Sequence, residues 1–249
     1  MKRFSFALYG LLSYTLFLVS FLYLVGFVGN LIVPKSIDAP LGVRGPAALL
    51  IDAAVLVAFF VQHSVMARPA FKQWWMRFVP HAIERSTYVL FSSLFLCLVF
   101  VAWQPLPTLL WDLRGTVAAP ILLTLYAVGW LIILASSFMI SHFELFGLTQ
   151  AWRRARETPE SKSAFVEAFF YRFVRHPILL GFFVASWAAP TMSQGRLLFA
   201  ALITLYIFVG IQLEEHDLVK AFGITYRNYR ARVPALFPFG KRVQGASKS

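Results

Sequence analysis

The chain has 249 residues, 59% of them hydrophobic and 14% charged, with a mean hydropathy of +0.69. Soluble domains average about 45–50% apolar and about 25% charged residues, so this apolar excess has no core to enter at this length and lipid must cover it. The formal charge is +12, from 23 basic and 11 acidic residues, but the basic residues sit between long apolar runs, where a membrane protein places them. No nucleic-acid partner is expected.

Cys97 is the only cysteine and lies inside an apolar run. Intrachain disulfides and a zinc thiolate cluster are thereby excluded, no metal is expected, and Cys97 reads as a small packing residue.

Along the chain, Met1-Lys2-Arg3 precede an apolar run at 6–33. A signal peptide carries only about 7–15 apolar residues, so this run reads as a retained first helix. Runs near the ~20 residues needed to cross a bilayer follow at 47–66, 87–103 and 118–140. Between the second and third, Phe71, Trp74, Trp75 and Phe78 alternate with Arg68, Lys72 and Arg77. Residues 68–78 therefore read as a helix in the headgroup plane. Residues 153–163 read as a polar cytosolic loop.

The last two runs, 177–189 and 197–213, are separated by the breaker stretch 190–195. At 1.5 Å per residue the first reaches only ~20 Å against a core of about 30 Å. This predicts a tilted helical hairpin, or a fifth helix extended by the segment before it. The tail after Phe239 reads as disordered. The expected fold is an all-α integral membrane protein, a single membrane-embedded domain over 1–249. It has about five to six transmembrane helices, the last two a helical hairpin, and a cytosolic C-terminal helix.

With the N-terminus in the cytosol, nineteen Lys and Arg residues fall on that side; Lys35, Arg44, Arg114 and Arg196 fall on the other. The positive-inside rule then puts both termini in the cytosol, in an inner (cytoplasmic) membrane. Depth places the ionisable groups. Gln62 and His63 end the second span; Glu84, Arg85 and Tyr88 open the third; His142 and Glu144 leave the fourth. Arg175 and His176 enter the fifth, and Glu214, Glu215 and His216 leave the sixth. The opposite face offers no histidine. Ionisable groups near the membrane are costly and mark functional sites, so the sidedness predicts a site for a water-soluble cytosolic ligand.

Two motifs are informative. Arg175-His176-Pro177 opens a helix, since proline at its first position has no amide hydrogen to leave unsatisfied. The remaining first-turn amides and the dipole attract an anion such as a carboxylate. Gly181, one turn on, leaves room for a ligand or a neighbouring helix. An ordinary capped interfacial helix has the same features. In the second motif, Glu214-Glu215-His216-Asp217 is followed by Phe222-Gly223 and Tyr226-Arg227-Asn228-Tyr229-Arg230. Unbroken helix would align Glu215, Phe222, Tyr226 and Tyr229, while Gly223 is placed to interrupt it. Carboxylates beside aromatic rings suit a ligand with an ammonium, a sulfonium and a sugar; a solvated acidic turn is the alternative.

The order Arg175-His176-Pro177, Leu180-Gly181, Glu214-Glu215, Phe222-Gly223, Tyr226, Tyr229 and Val233-Pro234 resembles the carboxyl-terminal region of the isoprenylcysteine carboxyl methyltransferase family. Three further stretches resemble its bacterial methanethiol S-methyltransferase branch: Gln62 to Pro69, Glu84 to Tyr88, and His142 to Leu148. The resemblance spans most of 60–238. It departs at Leu179, where the family has a tyrosine two residues after the proline.

The resemblance implies a methyltransferase that binds S-adenosyl-L-methionine at the cytosolic helix ends, in a portion of about 142–238. Arg175, His176, Pro177, Leu180, Gly181, Glu214, Glu215, Tyr226, Tyr229 and Arg230 would hold the cofactor. The implied reaction converts methanethiol to dimethyl sulfide, with a small thiol and the lipid bilayer as partners. A small alkyl thiol is mostly protonated at neutral pH, so a histidine base is useful. His142 is the first candidate, with Glu144 orienting it, although residues two apart on a helix do not face each other. His63 is the second. Trp74, Glu84, Tyr88 and Phe143 are the candidate substrate wall; an aromatic interfacial belt would also explain the rings. The alternatives are a lipid-linked or isoprenylated cysteine acceptor, a haem- or denitrification-associated membrane protein, and a transporter. The sequence does not fix the oligomeric state.

Overall fold

A computed structural model describes residues 2–39, 45–156 and 167–239. The described chain is almost entirely helical: α1 Lys2–Gly29, α2 Pro46–Ala67, α3 Pro69–Trp75, α4 His81–Ala102, α5 Ala118–Met139, α6 His142–Leu145, α7 Leu148–Arg156, α8 Pro177–Trp187, α9 Gln194–Phe222 and α10 Ile224–Arg232. Two short strands, β1 Leu109–Asp112 and β2 Thr191–Ser193, pair antiparallel. Of the helices, α1, α2, α4, α5 and α9 are long and apolar enough to cross a membrane, and α8 is a shorter apolar helix. The protein is an all-α integral membrane protein.

These six helices form a closed ring. Helix α1 packs on α4, α4 on α2, α2 on α9, α9 on α8 and α8 on α5. The circuit closes where the Tyr126 hydroxyl of α5 donates to the Val25 carbonyl of α1 and Phe21 meets Trp130 edge-on. Phe27, Leu56, Val99, Trp103, Trp130 and Phe199 fill the interior. Leu11, Leu22, Leu50, Val61, Val101, Leu131 and Leu205 stay exposed on the outside. Apolar surface this continuous is unsuited to water and is the lipid-facing wall.

The α5–α8 seam is the tightest. A Cβ at Gly181 would stand 2.6 Å from the Gly129 carbonyl oxygen and 2.6 Å from Ile133 Cγ1. Gly181 thus serves the approach of a neighbouring helix. The eleven residues of α8 are too few to span alone. The chain beyond them completes the passage as β2 against β1, where Trp111 Nε1 donates to the Ala189 carbonyl at 3.1 Å.

Helix α9 has 29 residues, ~43 Å at 1.5 Å each, and overshoots a core of about 30 Å. Ser193 caps its start by accepting from the Arg196 amide at 3.0 Å. Glu214 stands ~30 Å further along, at the opposite membrane boundary.

Several boundaries differ from the sequence reading. The first helix ends at Gly29, because Asn30 and Ile32 take positive φ of 53° and 32°. The third span begins at His81, six residues early, with Glu84 in the first turn, where a carboxylate favours the helix dipole. The sixth span runs on to Phe222, so Glu214–Asp217 are helical rather than a turn. Residues 153–156 are not loop but the end of α7. Ala151 of that helix is fully buried and sits where an added Cβ at Gly10 of α1 would lie 2.6 Å from its own Cβ. That apolar seat turns a polar stretch into a docked helix. The rest of the expected loop, and the tail after Phe239, lie outside the described residues. Helix α3 carries exposed Trp74, followed by exposed Met76 and Phe78, as an interfacial helix requires.

Candidate active site

Three clusters of polar side chains gather at the end of the ring where α2, α5 and α9 finish and α1, α4 and α8 begin.

The first lies between α8, α9 and α10. Glu215 is buried and gathers three cations. Its Oε1 accepts from Arg175 Nη2 at 2.5 Å, Arg175 Nε at 2.7 Å and His176 Nε2 at 3.2 Å. Its Oε2 meets Arg230 Nε at 3.1 Å. Glu214 Oε2 lies 3.4 Å from His176 Nδ1. Burial by itself would lower the His176 pKa, but hydrogen bonds and Coulombic attraction from Glu214 and Glu215 override it and raise the value to about 9. His176 is therefore an imidazolium at neutral pH.

The backbone around this cluster is held from the C-terminal side. The Arg175 amide donates to the Pro234 carbonyl at 2.9 Å and the His176 amide to Ala235 at 3.1 Å. Arg175 Nη1 donates to the carbonyls of Val233 and Arg230. Leu236, 3% exposed, anchors this strap against Ile207 and Ile211, with Leu179 and Leu180 packed alongside.

Gly223, at φ 55°, breaks the helix, and only then does α10 turn back to bury Tyr226 and Tyr229 against Leu218, Val219 and Phe222. Burial pushes the Tyr226 phenol up to about 12 and the Tyr229 phenol higher still. The Tyr229 hydroxyl donates to the Tyr171 carbonyl at 2.6 Å. Pro177 and Leu180 also line an apolar cavity of about 300 Å³ with Ile132, Phe170, Phe173, Val174 and Pro238.

The second cluster joins α2, α4 and α9. The Tyr88 hydroxyl is 2.9 Å from His63 Nε2, and Ser92 Oγ is 3.2 Å from Nδ1. Tyr206 of α9 stands edge-on to His63 at 6.5 Å and stacks on Phe60 at 4.2 Å. Its hydroxyl accepts from Ser64 Oγ at 3.1 Å. Arg68 Nη1 pairs with Asp217 Oδ2 at 2.8 Å, tying α2 to α9 near its end.

The third cluster surrounds His142. Ser141, at φ 74°, ends α5 and turns the chain so that His142 opens α6. Its Nδ1 is 2.8 Å from Ser137 Oγ and its Nε2 is 2.9 Å from the Tyr14 hydroxyl, while Phe138 stacks on the ring at 4.3 Å. Burial pushes the imidazole pKa down, so His142 is neutral with both nitrogens engaged. Among the described residues Glu144 makes no side-chain hydrogen bond with it; the Glu144 carbonyl accepts from Gln150 Nε2 and the Gly147 amide. Phe146 lies 4.8 Å from His142 and stacks on Phe17 at 3.8 Å. Both rings pack on Met66 and Tyr88, so an aromatic partition separates His142 from His63.

The expected residues therefore divide. Arg175, His176, Glu214, Glu215 and Arg230 form one network, with Tyr226 and Tyr229 packed beneath it. The four expected wall residues do not meet. Tyr88 is buried beside His63, Trp74 packs with Phe71 and Phe78 on the interfacial segment, Phe143 is exposed beside Tyr14, and Glu84 opens α4. Tyr14, Ser137, Ser92 and Tyr206 went unread. Each is a hydroxyl within a long apolar run, and its only signal in the sequence is polarity at a depth where polarity is costly. Among the described residues no group of three or more His, Cys, Asp or Glu is placed to hold a metal.

A family model described as NnrU protein matches residues 51–228. The chain is 50% identical to Methanethiol S-methyltransferase 2 of Bradyrhizobium diazoefficiens, over 99% of this chain and 96% of that protein. It is 47% identical to Methanethiol S-methyltransferase of Mycobacterium tuberculosis, over 97% of this chain and 99% of that one. Nurim of Bos taurus is 32% identical over 68% of each chain. No solved structure matches.

Proposed function

Because the chain belongs to the NnrU family, alongside the methanethiol S-methyltransferases it matches along nearly all its length, we propose that it is an S-adenosylmethionine-dependent methyltransferase acting on a small alkyl thiol. The acceptor is methanethiol, the product dimethyl sulfide, and the active end of the ring faces the cytosol of the inner membrane with both termini on that side. The structural observation that carries the reading is the buried Arg175–His176–Glu215 network at the mouth of α8 and α9. The relatives favour methyl transfer over a haem carrier or a transporter.

The residues fit such a donor by their chemistry. Glu214, 52% exposed with one oxygen on His176, keeps acceptor capacity for ribose hydroxyls or an ammonium. Arg230 is half exposed, and the first-turn amides of α8 suit a carboxylate. Glu215 has both oxygens occupied, and its task is to orient Arg175 and His176. When bound, the sulfonium donor supplies an electrophilic methyl group. Glu214, Arg230 and the α8 amides would hold the donor, and its methyl would pass to the acceptor sulfur, the electron pair of the broken C–S bond staying with the donor. A water-poor site favours this loss of charge, and the aromatic lining of the ring provides one.

The thiol proton needs an acceptor, and in this reading His63 is placed ahead of His142. Both histidines have each ring nitrogen against a hydroxyl; they differ in place, since His142 lies behind the aromatic partition. His63 shares its cluster with Tyr206 of α9, the helix that carries Glu214. His63 is the base, with Tyr88 holding its ring, and His142 is structural. Purified protein assayed with labelled S-adenosylmethionine across a thiol panel should methylate methanethiol. His63→Ala should lower kcat about a hundred- to ten-thousand-fold with donor affinity unchanged, and His142→Ala far less. The reverse ranking would return the proton to His142.

A further inference from the structure

Two kinds of glycine occur in this ring. Those of the α5–α8 seam are packed so closely that a methyl group would collide with backbone. Gly210, in the middle of α9, has no atom within 4 Å of where its Cβ would stand. A mid-helix glycine costs helix stability relative to alanine, and no packing contact here accounts for it.

Its direction follows from its neighbours. Residues three and four apart on a helix share a face. One turn below Gly210 are Tyr206, stacked on Phe60 of α2, and Ile207, packed with Leu179 and Leu180 of α8. One turn above is Glu214, in contact with His176. The lipid stripe of α9 is centred away from it, on exposed Leu205, Phe208 and Val209, with exposed Leu213 at its near edge. Gly210 thus faces the sector between α2 and α8, toward the middle of the ring. Along α9 it lies between Glu214 of the charged cluster and Tyr206 of the His63 cluster.

We infer that Gly210 is the floor of the acceptor chamber and sets the size of thiol admitted, with Glu214 on the donor side and Tyr206 on the base side. This deepens the methyl-transfer reading and rests on it for the identity of the ligand. A side chain added at Gly210 would take up space beside the acceptor, so larger thiols should be the first to be excluded.

The test separates the two ideas. Gly210→Ala meets no protein atom, so it should raise the melting temperature by about 1–4 °C. It should also lower kcat/KM for propanethiol at least tenfold more than for methanethiol. Gly210→Leu should lose at least a hundredfold in turnover for every thiol. An unchanged propanethiol-to-methanethiol ratio in Gly210→Ala would overturn the inference while leaving the activity standing. A wild-type protein without methyl transfer would instead remove the ligand assignment. The chamber itself is then read without turnover, with Gly210→Cys in a Cys97→Ala background. A small charged methanethiosulfonate should label it and a membrane-restricted maleimide should not. The opposite labelling pattern would place Gly210 against lipid and end the proposal.

Discussion

The two ends of the helix ring both bury charge, but they bury it differently. At the end where α9 begins, Arg196 is 2% exposed and gives its guanidinium to the carbonyls of Val28 and Thr191. Asp52 there is fully buried and accepts the Gln104 amide at 2.6 Å, and Asp38 accepts from Ser193 and Asn30. These groups are tied mainly to backbone and short neutral side chains, so they stitch loops to helix ends. At the other end Arg175, His176, Arg230, Glu214 and Glu215 are tied mainly to one another, and two of them, Glu214 and Arg230, are half exposed. A charge held by backbone has its geometry fixed by the fold. A network of mobile side chains can exchange a partner for a ligand. Burial near the membrane alone does not mark a site; the kind of partner does.

The comparison breaks most severely at Glu215. Glu215→Ala would leave Arg175 and His176 buried without their carboxylate, and removing one partner of a buried pair typically costs about 3–5 kcal/mol. Thermal unfolding should show that loss, and calorimetry should show S-adenosylmethionine affinity falling beyond detection. A stable Glu215→Ala protein with normal donor affinity would take the network out of the site. Arg196→Met probes the other end. Losing hydrogen bonds from a charged donor costs roughly 1.5–3 kcal/mol, so stability should fall while kcat and KM of the folded fraction stay unchanged. A kinetic effect there would show that the two ends are coupled.

The smallest effect is on pH. His176 titrates near 9 in the fold against an ordinary value of about 6.5. Between those values the folded chain holds a proton that the unfolded chain releases. The stability His176 contributes is complete below about pH 6.5 and is lost as pH rises through about 9. The melting temperature of the wild type should decline across that window more than that of His176→Gln. Parallel curves would mean that the imidazole is neutral.

Much of this arrangement was legible in the sequence, for identifiable reasons. Runs of apolar residues located the spans because lipid coverage is a bulk property. Arg175-His176-Pro177 located the start of α8 because proline punctuates a helix. Glu214 and Glu215 were visible as carboxylates ending an apolar run. What failed to show was whatever depends on a partner distant in the chain. Tyr206 acquires meaning only through Phe60 and Ser64, and His142 gains its Nε2 partner only through Tyr14, 128 residues away. Gly210 looks like any helix glycine until the space beside it is seen.

The strap that closes the charged cluster carries a consequence for how this protein can drift. Val233, Pro234 and Ala235 hold Arg175 and His176 with carbonyl oxygens, which every amino acid possesses. The hydrogen bonds therefore leave the segment's side-chain identities free, which only the packing of Val233 and Ala235 restricts. Its length has no such freedom. One inserted or deleted residue between Tyr229 and Leu236 would shift each carbonyl off its amide while Leu236 remained anchored.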